Sequence, residues 1–253
     1  MENRDKIIEV IDLTKEYDGT VIIENVNFTV YRGEIISIVG GSGCGKSTLL
    51  RQIIGLEKPT EGQTLIKGAD LAHATEDDKN NILKEFGVLF QSTGLFASMT
   101  LGQNIALPLE TYTKLNKRQI DEIVDIRLAS VGLDGYRHYY PVEISGGMKK
   151  RAALARAMAL DPEVLFFDEP NSGLDPVTAA AMDQLVMELN RGLGTTMIIV
   201  THDLESILNV SHRIVMLDKT VKGVIAIGTP DELKNMKDNP RVYNFFNRIP
   251  DMD

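Results

Sequence analysis

Residues 144–175 read ISGGMKKRAALARAMALDPEVLFFDEPNSGLD. A Ser-Gly-Gly turn (Ser145, Gly146, Gly147) opens a helix that runs to about Leu160, and Pro162 stands just past its end, as helix stops do. Then comes an apolar strand, 164–168, VLFFD. Asp168 and Glu169 close that strand, which places both carboxylates at the carboxyl edge of a sheet, where open α/β folds bind ligands. Asp168 suits the outer coordination of a Mg²⁺ ion, and Glu169 suits a general base for an attacking water. The alternative for the pair standing alone is an acidic cap on a strand.

The turn has its own chemistry. Serine is a good helix N-cap, and two glycines leave the first helical N–H groups open to an anion. Met148 cannot return a capping-box bond to Ser145, as Gln or Glu would. Lys149, Lys150 and Arg151 fall in the first turns, where the helix dipole disfavours positive charge. Two readings stand: a solvated basic face, or cations compensated by a bound polyphosphate.

Working outward, 7–12, 21–30 and 34–39 have the β-branched enrichment of strands, with a turn at Arg32-Gly33. The third strand runs into GGSGCGKST, 40–48, and 46–54 reads as a helix. Gly40-Gly41-Ser42-Gly43-Cys44-Gly45-Lys46-Ser47 fits G-x-x-x-x-G-K-[ST], and the strand–loop–helix order makes it a phosphate loop. Its glycines let successive N–H groups point at one phosphate. Lys46 would reach the β- and γ-phosphates and Ser47 would hold Mg²⁺. Cys44 sits beside a helix N-terminus and an ammonium, both of which favour a reactive thiolate, provided solvent reaches it. A buried, inert thiol is the alternative.

Strands 164–168, 196–200 and 213–217 are near-continuously apolar, as strands buried on both faces of a parallel sheet are. A helix is expected at 177–191, another at 117–131 from Ile120, Ile123, Val124, Leu128 and Val131, and a last strand at 223–228 before a helix from Pro230. The most polar stretch, 72–81, reads as a surface loop or an exposed helix. His202 follows strand 196–200 at the catalytic sheet edge, where it can contact a γ-phosphate and orient water; His73, His138 and His212 lack that placement and carry no expected role.

Composition narrows the class. The 253 residues are 43% hydrophobic and 25% charged, as in globular proteins, and fit one core with an inserted subdomain. No apolar run approaches the roughly 20 residues of a membrane span, and MENRDK at 1–6 is no signal peptide. A net charge of −9 argues against a nucleic-acid partner. The one cysteine excludes an internal disulfide and fits a reducing compartment.

Together, GGSGCGKST at 40–48, ISGGM at 144–148, Asp168-Glu169 and NSGLD at 171–175 resemble the nucleotide-binding subunit of an ABC transporter, over Tyr17 to about Pro230. The resemblance implies an α/β fold, a P-loop NTPase (ABC ATPase) core with a mainly parallel sheet, an antiparallel β subdomain and an inserted helical subdomain. It implies an ATPase domain over 1–239, with the helical insertion at about 92–160, and a helical tail at 240–253. Its cofactors are ATP and Mg²⁺. Tyr17 takes the place of the aromatic that stacks on adenine. Gln91 takes that of the Q-loop glutamine, near the reacting phosphate and Mg²⁺. Asp175 lies in the D-loop, and Thr48 completes the phosphate-binding stretch. The partner is a second copy of the chain in a head-to-tail dimer, where the Ser145-Gly-Gly turn of one copy covers the γ-phosphate held by the other. In that arrangement the polyphosphate facing Lys149–Arg151 is the opposing chain's.

Met148 with KKRAA at 149–153, and the ending DNPRVYNFF at 238–246, resemble the ATPases of Mla/Mce-type phospholipid transporters, although Asn171-Ser172 departs from that branch. This implies transmembrane permease partners, a substrate-binding Mce-type protein, and a peripheral location on the cytoplasmic face of a bacterial inner membrane. Leu95, Phe96 and Met99 would line a groove for a permease helix or be buried in the insertion's own core. Val242, Phe245, Phe246 and Ile249 form one helical face that docks either on the chain's own domain or on the twin subunit. Competing readings are an amino-acid or metal importer's ATPase, a soluble ATPase of iron–sulfur cluster assembly, and a nucleotide-gated module that does not hydrolyse. Glu169 and His202 speak against the last.

Overall fold

The computed structural model describes residues 5–250. In chain order its elements are β1 (Lys6–Tyr17), β2 (Thr20–Tyr31), β3 (Ile35–Val39), α1 (Lys46–Ile53), β4 (Glu61–Ile66), β5 (Ala69–Asp70), α2 (Glu76–Leu83) and β6 (Phe86–Leu89). Then follow α3 (Leu101–Tyr112), α4 (Lys117–Ser130), a 3₁₀ turn at Pro141–Glu143, α5 (Gly146–Ala157), β7 (Val164–Asp168) and α6 (Pro176–Leu193). The chain ends with β8 (Thr196–Val200), α7 (Leu204–Val210), β9 (Arg213–Asp218), β10 (Gly223–Gly228), α8 (Pro230–Lys234) and α9 (Pro240–Asn247). Two compact units divide it, one of Met1–Ile82 with Thr196–Asp253, the other of Leu83–Thr195.

In the first unit, β1 pairs antiparallel with β2 and β4, and β4 with β5. This is the expected antiparallel subdomain. β3 pairs parallel with both β8 and β9, and β10 closes the edge antiparallel to β9. Every residue of β3 (IISIV) and of β8 (TMIIV) is buried, which is why these strands read as unbroken apolar runs. Asp12 takes a positive φ of 49° between register shifts that let the long β1 bend.

The tail belongs to this core. Val242 and Phe246 are buried with Val39, Ile207, Ile214, Met216 and Leu233, and Phe245 packs partly against them. Ile249 stays 45% exposed. Of the two docking readings of this face, the chain's own domain is the one realised by Val242 and Phe246; residues 251–253 of the tail lie outside those described.

In the second unit, β6 pairs parallel with β7, and Phe86 meets Phe166 edge to face, ring centroids 5.0 Å apart. Helices α3, α4 and α5 pack on one another. Capping boxes start α3 (Thr100 with Gln103) and α4 (Asn116 with Gln119). The fully buried Asn104 donates to the carbonyls of Phe96, Met99 and Thr100 and accepts from the Phe96 N–H, so it organises the loop before α3. Leu95 and Met99 are half-buried and Phe96 is 49% exposed, so these side chains do not form the insertion's core. The polar stretch at 72–81 contributes to α2, which has no buried residue. Among the described residues no helix is long and apolar enough to cross a membrane.

Candidate functional site

In the first unit, strand register sets two of the expected residues level. Ile38 pairs with Val200, so Gly40 and His202 each stand two residues beyond a matched pair, at one sheet edge. Here β3 enters the phosphate loop and ends on α1. Gly45, the N-cap of α1, has φ 98° and gives no side-chain cap, leaving the first N–H groups of the helix for an anion. A Cβ at Gly45 would lie 2.3 Å from Ile23 Cγ2, so the loop can take this path only with glycine. Lys46 Nζ donates to the carbonyls of Gly40 (2.9 Å) and Gly41 (3.1 Å), folding the ammonium over the loop. Gly41, Ser42, Gly43 and Ser47 are exposed, and Thr48 is half-buried. His202 is exposed after Thr201, whose N–H donates to Ile38 O.

Cys44 corrects the expectation of a reactive thiol. It is 1% exposed, and burial raises its thiol above the usual range even though the Lys46 ammonium pulls the other way. Its N–H donates to Gly41 O at 3.3 Å inside the loop. Tyr17 is 38% exposed, with Lys15 Nζ 4.9 Å from its ring centre. Its hydroxyl donates to Glu57, and burial, then this bond, raise the phenol's pKa. The expected adenine-stacking ring is thus held at its far end. Glu57 had no signal in the sequence, because only the fold brings the segment after α1 to β1.

The second unit repeats the register device. Leu89 pairs with Phe167, so Gln91 and Glu169 each stand two residues beyond a matched pair. Asp168 closes β7. Glu169 has φ 50°, a left-handed conformation that costs a non-glycine residue roughly 1–3 kcal/mol and is kept only where the surroundings dictate it. Gln91 Nε2 donates to Ser172 Oγ (3.2 Å), and Ser172 N–H donates to Glu169 O (3.1 Å), so the two catalytic candidates share a partner.

The basic run after the Ser145-Gly146-Gly147 turn, the signature turn of the expected family, also departs from expectation. Lys150 is buried, and its ammonium donates to the carbonyls of Gln91 and Glu169; it is neither a solvated cation nor one aimed at a nucleotide. Lys149 and Arg151 are half-buried. Six residues further on, Arg156 donates to the carbonyls of Gly94 (2.6 Å) and Thr93 (3.1 Å), so α5 holds the segment from Gln91 to Gly94 at several points. The signal was present: Lys150, Ala153, Leu154 and Met158 lie on one helical face, all buried.

Ser145 caps α5, its Oγ accepting from Met148 N–H, and the missing reciprocal bond leaves a single cap. Ser145 and Gly146 are exposed, and a Cβ at Gly146 would meet nothing within 4 Å. The carboxylate of Asp175 is engaged as the N-cap of α6, accepting from the Val177 and Thr178 N–H groups, and the Thr178 hydroxyl leads in lowering its pKa. His73 pairs with Asp70, and His212 Nδ1 accepts from Ile35 N–H, which are structural roles.

These residues fit ATP with Mg²⁺. The uncapped start of α1 and the folded-over lysine suit a polyphosphate. Mg²⁺ ordinarily takes one or two protein oxygens and completes its shell with phosphates and water. Ser47 in the first unit and Asp168 in the second are each an oxygen donor of that kind, and no group of three or more His, Cys, Asp or Glu side chains that could hold a metal occurs among the described residues.

Known proteins resemble this chain closely enough to place it in a family. The ABC transporter family matches residues 23–172. A probable ribonucleotide transport ATP-binding protein, Mkl, of Mycobacterium tuberculosis is 42% identical over 95% of this chain, which spans 66% of that relative's length. The intermembrane phospholipid transport system ATP-binding protein MlaF is 40% identical in Haemophilus influenzae and 37% in Escherichia coli, over 92% and 97% of this chain and 87% and 90% of theirs. Among solved structures, the dimeric ATP-binding cassette MJ0796 bound to ADP and Pi superposes with a TM-score of 0.80 at 30% identity, covering 88% of this chain and 98% of that one. CbiO1 of Clostridium perfringens, part of an ABC transporter complex, gives 0.84 at 30% identity, covering 97% of each chain. From its phosphate loop, its strand-end carboxylates and these relatives, the chain belongs to the ABC transporter family of ATP-binding cassettes.

Proposed function

We propose that the chain is the ATP-hydrolysing subunit of a membrane transporter and works as a head-to-tail dimer. The loop of Gly40–Gly45, Lys46 and Thr48 holds the phosphates, and Tyr17 supports the adenine. Ser47, Gln91 and Asp168 would hold Mg²⁺, which when bound would supply positive charge against the phosphate oxygens. Glu169 accepts the proton of the attacking water, His202 orients that water, and Gln91 lies beside both. Ser145, Gly146 and Gly147 serve the nucleotide held by the second copy, with Asp175 shaping the D-loop at that junction. The observation that carries this reading is the shared register. Gln91 and Glu169 stand level at one edge, as Gly40 and His202 do at another.

The cargo is proposed to be phospholipid, on the strength of the two MlaF relatives and the resemblance in the signature and tail. The partners are then permease subunits with an Mce-type substrate-binding protein, and the chain sits peripherally on the cytoplasmic face of an inner membrane. The half-exposed Leu95, Phe96 and Met99 suit the permease contact. Purification with native partners and identification of those partners and the bound lipid by mass spectrometry tests this assignment; co-purification with an amino-acid or metal permease, or with a cluster-assembly scaffold, overturns it.

Glu169→Gln tests the chemistry. It keeps the side chain's shape and removes the base. Hydrolysis should fall by at least about 100-fold, the lower end of general-base contributions, while ATP binding persists and an ATP-bound dimer accumulates. Hydrolysis near the unsubstituted rate would show that Glu169 is not the base.

A further inference from the structure

Lys150 lies in the second turn of α5 and is 5% exposed. A buried ammonium is costly unless its donors are used and its charge is answered. Here the answer comes from two main-chain oxygens, Gln91 O at 2.7 Å and Glu169 O at 3.3 Å. Burial lowers the pKa of Lys150, and the neighbouring Asp168 and Glu169 carboxylates act in the opposite sense.

Both acceptors are informative. They are the carbonyls of the two residues that strand register sets level beyond the Leu89–Phe167 pair. One bears the amide and the other the carboxylate of the proposed chemistry. Glu169 holds a left-handed backbone, and its carbonyl receives two donors, Lys150 Nζ and the Ser172 N–H. A residue in that conformation depends on such contacts to stay there. The Gln91 side chain is tied to Ser172 while its carbonyl is tied to Lys150.

We propose that Lys150 is a positioning residue for hydrolysis, one that pins the main chain of Gln91 and Glu169 so that the amide and the carboxylate are aimed from a fixed frame. It rests on the assignment of Glu169 as base made above. It also gives α5 two tasks in one chain. Its N-terminus, at Ser145, serves the second copy's nucleotide, and its second turn holds the groups that work on the chain's own.

The test compares Lys150→Met, which keeps length and loses the donors, with Lys150→Arg, which keeps donors and charge. The full chain with its native partners is assayed for kcat, KM for ATP, the ATP-bound dimer and the melting temperature. For Lys150→Met the expected result is a fall in kcat of about 10-fold or more, with KM within about two-fold and the ATP-bound dimer still formed; each tenfold corresponds to about 1.4 kcal/mol of lost transition-state stabilisation. Lys150→Arg should recover most of kcat. A kcat for Lys150→Met within two-fold of the unsubstituted protein overturns the proposal. So does loss of the ATP-bound dimer in parallel with hydrolysis, or a matching drop in melting temperature and kcat in both variants, since either makes Lys150 a structural residue. Glu169→Gln, run alongside, separates the two assignments. If it hydrolyses normally, the base assignment fails; if it is inactive while Lys150→Met is not, only the role of Lys150 fails.

Discussion

The chain carries two glycine turns that each open a helix, and they are built in opposite ways. In the phosphate loop two of the glycines are forced: Gly40 and Gly45 have φ 145° and 98°, and a Cβ on either would lie 2.3 Å from a neighbouring atom. In the signature turn the first glycine, Gly146, faces open space, while a Cβ on Gly147 would lie 2.5 Å from the Thr178 methyl. The basic residues differ too. Lys46 folds over its own loop, whereas Lys150 turns inward to main-chain carbonyls. On the proposed function, the first turn receives phosphate within one chain, and the second, braced by Lys150 and exposed at Ser145 and Gly146, meets the nucleotide of a second molecule.

The largest effect that would sharpen this contrast comes from adding one methyl group to each turn. Gly45→Ala adds a left-handed penalty of about 1–2 kcal/mol to an overpacking cost of about 1–3 kcal/mol against Ile23. The loop should relax away from its phosphate-binding path, and ATP affinity should fall by at least about 100-fold, at 1.4 kcal/mol per factor of ten. Gly146→Ala should leave the affinity of the single chain unchanged, because nothing stands where its Cβ goes. Titration of a fluorescent ATP analogue reads both. Equal losses would erase the distinction between the two turns.

A smaller and more selective effect is expected of Ser145→Arg. In the proposed head-to-tail dimer, a long cation at the exposed turn would obstruct the nucleotide of the second copy. Turnover of the dimer should be blocked, with ATP affinity of the isolated chain within about two-fold, or roughly 0.4 kcal/mol. A large loss of ATP binding by the isolated chain would mean that the turn acts on its own nucleotide.

The two turns also show how far the sequence could be read. Their glycine spacing, the strand before the first and the helix after each are local features, so both were legible, as were β7, β8 and β10. Where long-range packing decides, legibility ended. β6 is four residues long, and Gly87 within it is required because a Cβ would strike Ala157 O at 2.3 Å, which no local pattern reports. α2 buries nothing and so has no apolar stripe to detect. α3 carries Pro108 in its interior, which masks its period, although Thr100 and Gln103 mark its start. Among the candidate site residues, the hydrogen-bond partners that each one takes were not legible. Lys150 looked like a charge for solvent or phosphate because a lysine's destination depends on what the fold sets opposite it, here two carbonyls 59 and 19 residues away in sequence.

The smallest expected effect concerns Cys44, the only thiol in the chain, and it sets closure of one turn against openness of the other. Cys44 points inward, close enough to Gly40 that a Cβ there would lie 2.7 Å from its sulfur. Two factors then slow its alkylation: limited access, and a thiol pKa raised above its ordinary value of 9.0 by burial. At pH 8 maleimide should label the folded chain at least about 10-fold more slowly than the denatured chain, with Mg-ATP making little difference. The raised pKa means that the folded state holds this proton more tightly than the unfolded state does. The resulting contribution to stability is complete below about pH 9 and is lost as pH rises through the folded value. Cys44→Ala should remove that alkaline loss and leave ATP affinity within about two-fold, because the loop uses main-chain groups at this position. In the Cys44→Ala background, Gly146→Cys should label quickly in the isolated chain and slowly in the ATP-bound dimer, where the second copy covers the turn. Fast labelling of Cys44 that Mg-ATP suppresses would place its sulfur at the nucleotide surface. It would also show that the phosphate loop is as open as the signature turn.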